Sequence, residues 1–140
     1  MDAWAQHFVE VWKANRVAIA EAVMAAVKRN PHYPVKEYSI EDAHQVFDGL
    51  LAMMLEHING EGNEIWDTYV NAVVPGLLSQ GNPLSALVSQ CTMNGIVLHQ
   101  LLVPRAHEEY RDKISEFLIN YYAYLNSETV RVGLENGAKA

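Results

Sequence analysis

The sequence predicts an all-α domain of five or six helices packed on one another. Apolar residues recur at spacings of three and four along most of the chain, which is the periodicity of helices with one buried face. No stretch alternates with a period of two, and no Asn-Gly or Asp-Gly turn joins two β-rich runs. Prolines and glycines divide the helical pattern into segments with short connections, as in a helix-on-helix bundle.

Length and composition exclude several classes of protein. The chain has 140 residues, half of them apolar, which predicts one domain over residues 1–140 with a sizeable core. Its one cysteine, Cys91, excludes an internal disulfide scaffold. A formal net charge of -7 disfavours nucleic-acid binding. Neither a membrane span nor a signal-peptide pattern is found, so we expect a cytoplasmic location.

The first helical pattern covers residues 3–29, and Asn15-Arg16 interrupts its apolar stripe. This interruption predicts a short helix followed by a longer one. The sequence Pro31-His32-Tyr33-Pro34 then predicts an extended loop, because each proline disfavours helix in the residue before it.

The second pattern, residues 40–59, has a readable start and end. Ser39 is the predicted N-cap, and Glu41 and Asp42 lie at the positive end of the helix dipole. Gly60 supplies the left-handed conformation that helix ends favour.

The remaining patterns cover residues 64–79, 83–102 and 106–125. Pro75-Gly76 is expected to kink or end the first of them. In Gly81-Asn82-Pro83, the asparagine is the predicted N-cap and the proline the first helical residue. Residues 133–140 are expected to be frayed.

Polar groups on apolar faces predict a pocket between the second, third and fourth helical patterns. His44 and His99 interrupt otherwise apolar faces, and Gly95 leaves volume where a side chain would pack. Helix packing with satisfied histidines is the alternative reading of the same residues. The expected lining consists of His44, Phe47, Leu51, Trp66, Tyr69, Cys91, Gly95 and His99.

No catalytic or metal-binding constellation is found, so we expect a protein that is not an enzyme and holds no metal. The histidines lack the short pairings of a zinc site, and Glu41-x-x-His44 has no second copy to complete a di-iron bundle. Cys91 has no basic group near it along its helix, so it reads as a buried apolar side chain.

The aromatic residues exceed what a small core needs. We therefore expect a homodimer joined mainly through the first and last helices. The predicted interface residues are Trp4, Trp12, Tyr121, Tyr122 and Tyr124.

Four stretches together resemble the N-terminal sensory domain of the RsbR family of stressosome proteins and the related sporulation-inhibitory sensor-domain proteins. They are a tryptophan-bearing first helix with residues 16–20 (RVAIA), Pro31-His32-Tyr33, residues 65–69 (IWDTY) and residues 81–87 (GNPLSAL). The resemblance covers roughly residues 4–125.

The resemblance implies a globin-like fold without obligatory haem. It also implies a dimeric sensory or protein-interaction module of bacterial signalling, in which some members bind fatty-acid-like ligands between helices. Such members often continue into a second, phosphorylatable domain, and the chain is therefore a standalone sensor or a truncated form. The alternative is a haem-binding globin that senses gas or redox state. Residues 64–79, where the proximal ligand would lie, contain no histidine, which leaves His44 and His57 as candidate ligands.

Overall fold

The computed structural model describes residues 1–30 and 39–137. Every regular element in these two ranges is helical, which confirms the predicted all-α class and is consistent with a globin-like bundle. The predicted loop at Pro31–Pro34 lies outside the described residues. The elements are α1 (Ala3–Ala14), α2 (Arg16–Arg29), α3 (Ile40–Asn59), α4 (Glu64–Thr68), a π-helical segment (Tyr69–Val73), α5 (Val74–Ser79), α6 (Leu84–Leu102) and α7 (Glu108–Glu135).

The predicted break between the first two helices is confirmed at Asn15. Its side-chain Nδ2 donates to the carbonyl of Val11 at 2.7 Å, which satisfies one of the last carbonyls of α1. The next residue, Arg16, fixes α2 against α3 through a bidentate pair with Asp48. Its Nε and Nη2 atoms donate to the two carboxylate oxygens at 2.9 and 2.8 Å.

Both predicted ends of α3 are confirmed. The Asp42 N–H donates to Ser39 Oγ at 3.1 Å, and the Ser39 N–H donates to Asp42 Oδ2 at 2.9 Å, which forms a reciprocal capping box. These hydrogen bonds hold the pKa of Asp42 below its usual value. At the other end, Gly60 has φ +66°, and its N–H donates to the carbonyl of His57 at 3.3 Å.

Pro75 changes its helix without ending it. The segment Tyr69–Val73 is π-helical, and α5 continues directly from Val74 through the proline. Proline removes one backbone donor and its ring clashes with the preceding turn. A wider turn just before Pro75 accommodates both effects, which is a known cause of helix kinks.

Asn82 is not the N-cap of α6, which corrects the prediction. The helix begins at Leu84, with Pro83 as its cap residue. The Asn82 side chain instead donates to the carbonyl of Leu77 at 3.0 Å, and its backbone N–H approaches the same oxygen at 3.3 Å. Asn82 therefore closes the end of α5, where Gly81 adopts φ +92°.

The last helix is longer than the sequence predicts. It continues ten residues beyond Leu125 to Glu135, so Gly133–Glu135 are helical and not frayed. Val132 and Gly133 are buried, and a Cβ atom added at Gly133 would lie 2.6 Å from Leu84 Cδ1. Contact with α6 therefore orders this end of the chain, while residues 138–140 lie outside the described ranges.

The helices enclose one core, and α7 is the central helix of the packing. This helix packs against α1, the π-helical segment, α5 and α6, and α2 packs against α3 and α6. Large buried side chains include Phe8, Trp12, Met54, Leu98 and Leu118. Within residues 1–30 and 39–137, no helix combines the length and apolar character that crossing a bilayer requires.

The capping box predicts a measurable loss on removal of one hydroxyl. Ser39→Ala should lower the free energy of unfolding by about 1 kcal/mol, because the Asp42 N–H loses its acceptor. Urea denaturation measures the change. Ser127→Ala is the matched control, since Ser127 is exposed in the middle of α7. Equal losses in the two variants would contradict the role of the cap.

Candidate functional site

The structure does not bring the eight predicted pocket residues into one cavity. Phe47, Leu51 and Cys91 lie in the apolar core. Of the other five, His44 lies on α3. The remaining four line three different surface grooves, and these are Trp66, Tyr69, Gly95 and His99.

The first groove, called the aromatic groove, lies between α1, the end of α3, α4 and α7 and has a volume of about 670 Å³. It contains Trp66, the one predicted pocket residue that faces it. Its ring-bearing lining is Trp4, His57, Trp66, Phe117, Tyr121 and Tyr124.

The second groove, called the α6/α7 groove, has a volume of about 380 Å³ and contains Gly95 and His99. Its lining is Thr92, Gly95, Ile96, His99, Gln100, Leu118, Ile119, Tyr122, Ala123 and Asn126. Tyr69 faces a third groove, between α3 and α4, with Val46, Gly49 and Ile65.

His99 and Gly95 follow the packing alternative. His99 Nε2 lies 2.7 Å from Ser115 Oγ, which gives this imidazole a hydrogen-bond partner across the α6–α7 contact. Gly95 has the ring of Tyr122 directly against it, and an added Cβ atom would lie 2.8 Å from Tyr122 Cγ. The glycine is therefore required by helix–helix packing. His44 differs, because its Nδ1 atom is buried without a hydrogen-bond partner among the described residues.

A cluster of hydroxyls and one thiol forms in the core where α6, α7 and the π-helical segment meet. Burial raises the pKa of Cys91 to about 12, so its thiol stays protonated and unreactive at neutral pH. Burial raises the pKa values of Tyr69, Tyr121 and Tyr122, and the nearby Cys91 raises them further. The hydroxyls of Tyr121 and Tyr122 are buried and have no hydrogen-bond partner among the described residues.

Three of the five predicted dimer residues are core residues, which corrects that interface. Trp12 is 1% exposed, and Tyr121 and Tyr122 are each 6% exposed. Their rings are used within the monomer: Trp12 packs edge-on against Phe8. The remaining two lie at the aromatic groove, with Trp4 half-buried and Tyr124 exposed. Because the long α7 packs against other helices on several sides, it buries aromatic residues that the sequence analysis counted as more than a small core needs.

The described residues contain no group of three or more His, Cys, Asp or Glu side chains arranged to hold a metal ion. A pair of histidines meets for a structural reason that spacing could not reveal. His7 Nε2 accepts the His107 backbone N–H at 2.9 Å, and the two rings lie 4.1 Å apart. This contact joins α1 to the N-cap residue of α7.

The two candidate haem ligands do not line a common groove. His57, one candidate ligand, is exposed and packs against Phe117 and Tyr121 at the aromatic groove. His44, the other candidate ligand, lines none of the three grooves described above. The haem alternative stays a prediction.

The sequence analysis did not predict either groove beside α7. At the α6/α7 groove, Ile119 of α7 and Ile96 of α6 lie outside the apolar stripes of their helices, and both are half-exposed. An isoleucine outside the apolar stripe of its helix could have indicated this exposed apolar groove. The aromatic groove had no such signal, because its walls come from helices far apart in sequence.

No match to this chain was found among protein-family models, curated proteins or solved structures. The resemblance to stressosome sensory domains therefore stays a prediction that rests on the stretches quoted above.

The contact at Gly95 predicts opposite effects for two glycine substitutions. Gly49 lies in α3 with nothing within 4 Å of an added Cβ atom, so Gly49→Ala should stabilise by about 0.5–1 kcal/mol. Gly95→Ala must displace the Tyr122 ring and should destabilise the protein by about 1–3 kcal/mol. Thermal or urea unfolding compares them, and equal stabilisation would contradict the tight α6–α7 contact.

Proposed function

We propose that the chain is a non-catalytic, cytoplasmic sensory or protein-interaction domain of a bacterial signalling pathway and that it acts as a homodimer. The observation that carries this proposal is the α6/α7 groove. Ile96 is 50% exposed and Ile119 is 59% exposed at its edges, and its described lining contains no Asp, Glu, Lys or Arg. Depletion of charge around exposed apolar side chains is typical of the centre of an interface.

A second copy of this chain suits that face. Two domains with a net charge of -7 repel one another, and an interface free of charged side chains keeps that repulsion smallest. A two-fold interface is self-complementary, so Ile119 of one copy can enter the groove of the other, and the reverse. The floor of the groove is formed by Gly95 and the Tyr122 ring packed against it, which together offer an apolar surface for an isoleucine side chain. This proposal retains α7 at the interface and replaces α1 with α6.

A matched pair of charge substitutions tests the dimer. Wild-type protein should sediment as a dimer at high micromolar concentration. Ile119→Glu should weaken dimerisation by about 100-fold or more, because an unpaired carboxylate would be buried between the copies. Val17→Glu should leave the dimer intact, since Val17 is 59% exposed on α2 and lies outside the groove. A monomeric wild type, or equal loss in both variants, would overturn the proposal.

A second candidate function is the binding of a small fatty-acid-like molecule between the helices. It is favoured by the unpartnered hydroxyls of Tyr121 and Tyr122. Buried hydroxyls that lack partners are costly, and their raised pKa values keep them protonated, so both can donate to an acceptor. A carboxylate on an apolar chain supplies such an acceptor and an apolar remainder for the core.

Native mass spectrometry and a titration with dodecanoic acid test this function. We expect a retained acid in the isolated protein. The double variant Tyr121→Phe/Tyr122→Phe should bind dodecanoate about tenfold more weakly, because two charge-assisted hydrogen bonds are lost. Tyr110→Phe, also on α7, is the control. Absence of both a retained acid and dodecanoate binding would refute the second function.

A further inference from the structure

The aromatic groove presents a continuous series of ring contacts along α7. Trp4 packs on Phe117 with centroids 5.5 Å apart, Phe117 on Tyr121 at 5.4 Å, and Tyr121 on Trp66 at 5.4 Å. Trp66 then stacks on Tyr124 at 5.1 Å with an angle of 13° between the rings. The stack is held at the surface, since Tyr124 is exposed and Trp66 is half-buried.

Charged and polar groups surround this wall without partners. Asp67 on α4 and Glu116 on α7 both line the groove, as do Asn63 and Asn120. No hydrogen bond or ion pair joins these four side chains to any described residue. Lys113 also lines the groove, one turn before Glu116, and makes no ion pair with either carboxylate in the described structure.

We propose that the aromatic groove binds a small organic ammonium ion. The faces of Trp and Tyr rings carry negative electrostatic potential and attract cations placed over them. Two unpaired carboxylates add to this attraction, and the net charge of -7 concentrates cations around the domain. The groove volume of about 670 Å³ falls in the range of small-molecule sites.

The aromatic groove is separate from the α6/α7 groove that is proposed as the dimer interface. Ile119 lies on the α6/α7 groove, whereas Glu116 and Tyr124 lie on the aromatic groove. A failure of ammonium binding therefore leaves the dimer proposal standing, and the reverse also holds.

A pair of isosteric probes tests the role of the positive charge. Choline and 3,3-dimethyl-1-butanol have nearly the same shape, but only choline is charged. Isothermal titration of the full chain at low salt should show choline binding at least about tenfold more tightly than the alcohol. Equal affinity would identify a merely apolar groove and overturn the proposal, as would no choline binding up to about 20 mM.

Substitutions on α7 locate the site. Tyr124→Leu should weaken choline binding by about fivefold, whereas Tyr124→Phe should retain it, because the ring and not the hydroxyl attracts the cation. Glu116→Gln should also weaken binding, and Asp112→Asn is its control, since Asp112 is exposed outside the groove lining. Lys113→Gln should strengthen binding by removing a like charge. Unchanged affinity in Tyr124→Leu, with helical circular dichroism retained, would overturn the proposal.

Discussion

The close packing of α7 on α6 is the constraint on which the rest of the structure depends. At two positions the helices meet without room for a side chain, with the Tyr122 ring on Gly95 and Leu84 on Gly133. These contacts lie far apart along α7 and fix both its rotation and its axial position. The rotation decides which side chains enter the core and which lie at each groove. Helical propensity alone could not make this choice, because it does not distinguish the faces of a helix.

The fold was predictable where the determinants are local. The cap at Ser39, the left-handed Gly60 and the break at Asn15 each depend on atoms within about one helical turn, so the sequence carries the information. Asn82 had the right residue type for a cap, but the competing acceptor was the carbonyl of Leu77 behind it. The prolongation of α7 depends on Leu84, which precedes it by some fifty residues.

The candidate site was harder to predict, because its groups meet across helices. Counting aromatic residues cannot separate a buried ring from an interface ring. Tyr121 and Tyr122 are consecutive and both buried, so the buried face of α7 is wide at this point. Likewise, the sequence predicted His99 as a pocket residue, whereas in the structure its imidazole has Ser115 as a hydrogen-bond partner. Whether such polar groups meet depends on how two helices are aligned with each other. Residue spacing within one helix gives no information about that alignment.

Tyr121 and Tyr122 place both proposed surfaces under the same packing constraint. Tyr121 lines the aromatic groove and Tyr122 lines the α6/α7 groove, while both hydroxyls are buried in the core. Since Tyr122 has no free space against Gly95, α7 cannot rotate at one groove without disturbing the other. Because both grooves are lined by residues of the same helix, a movement of α7 at one groove also moves the lining of the other.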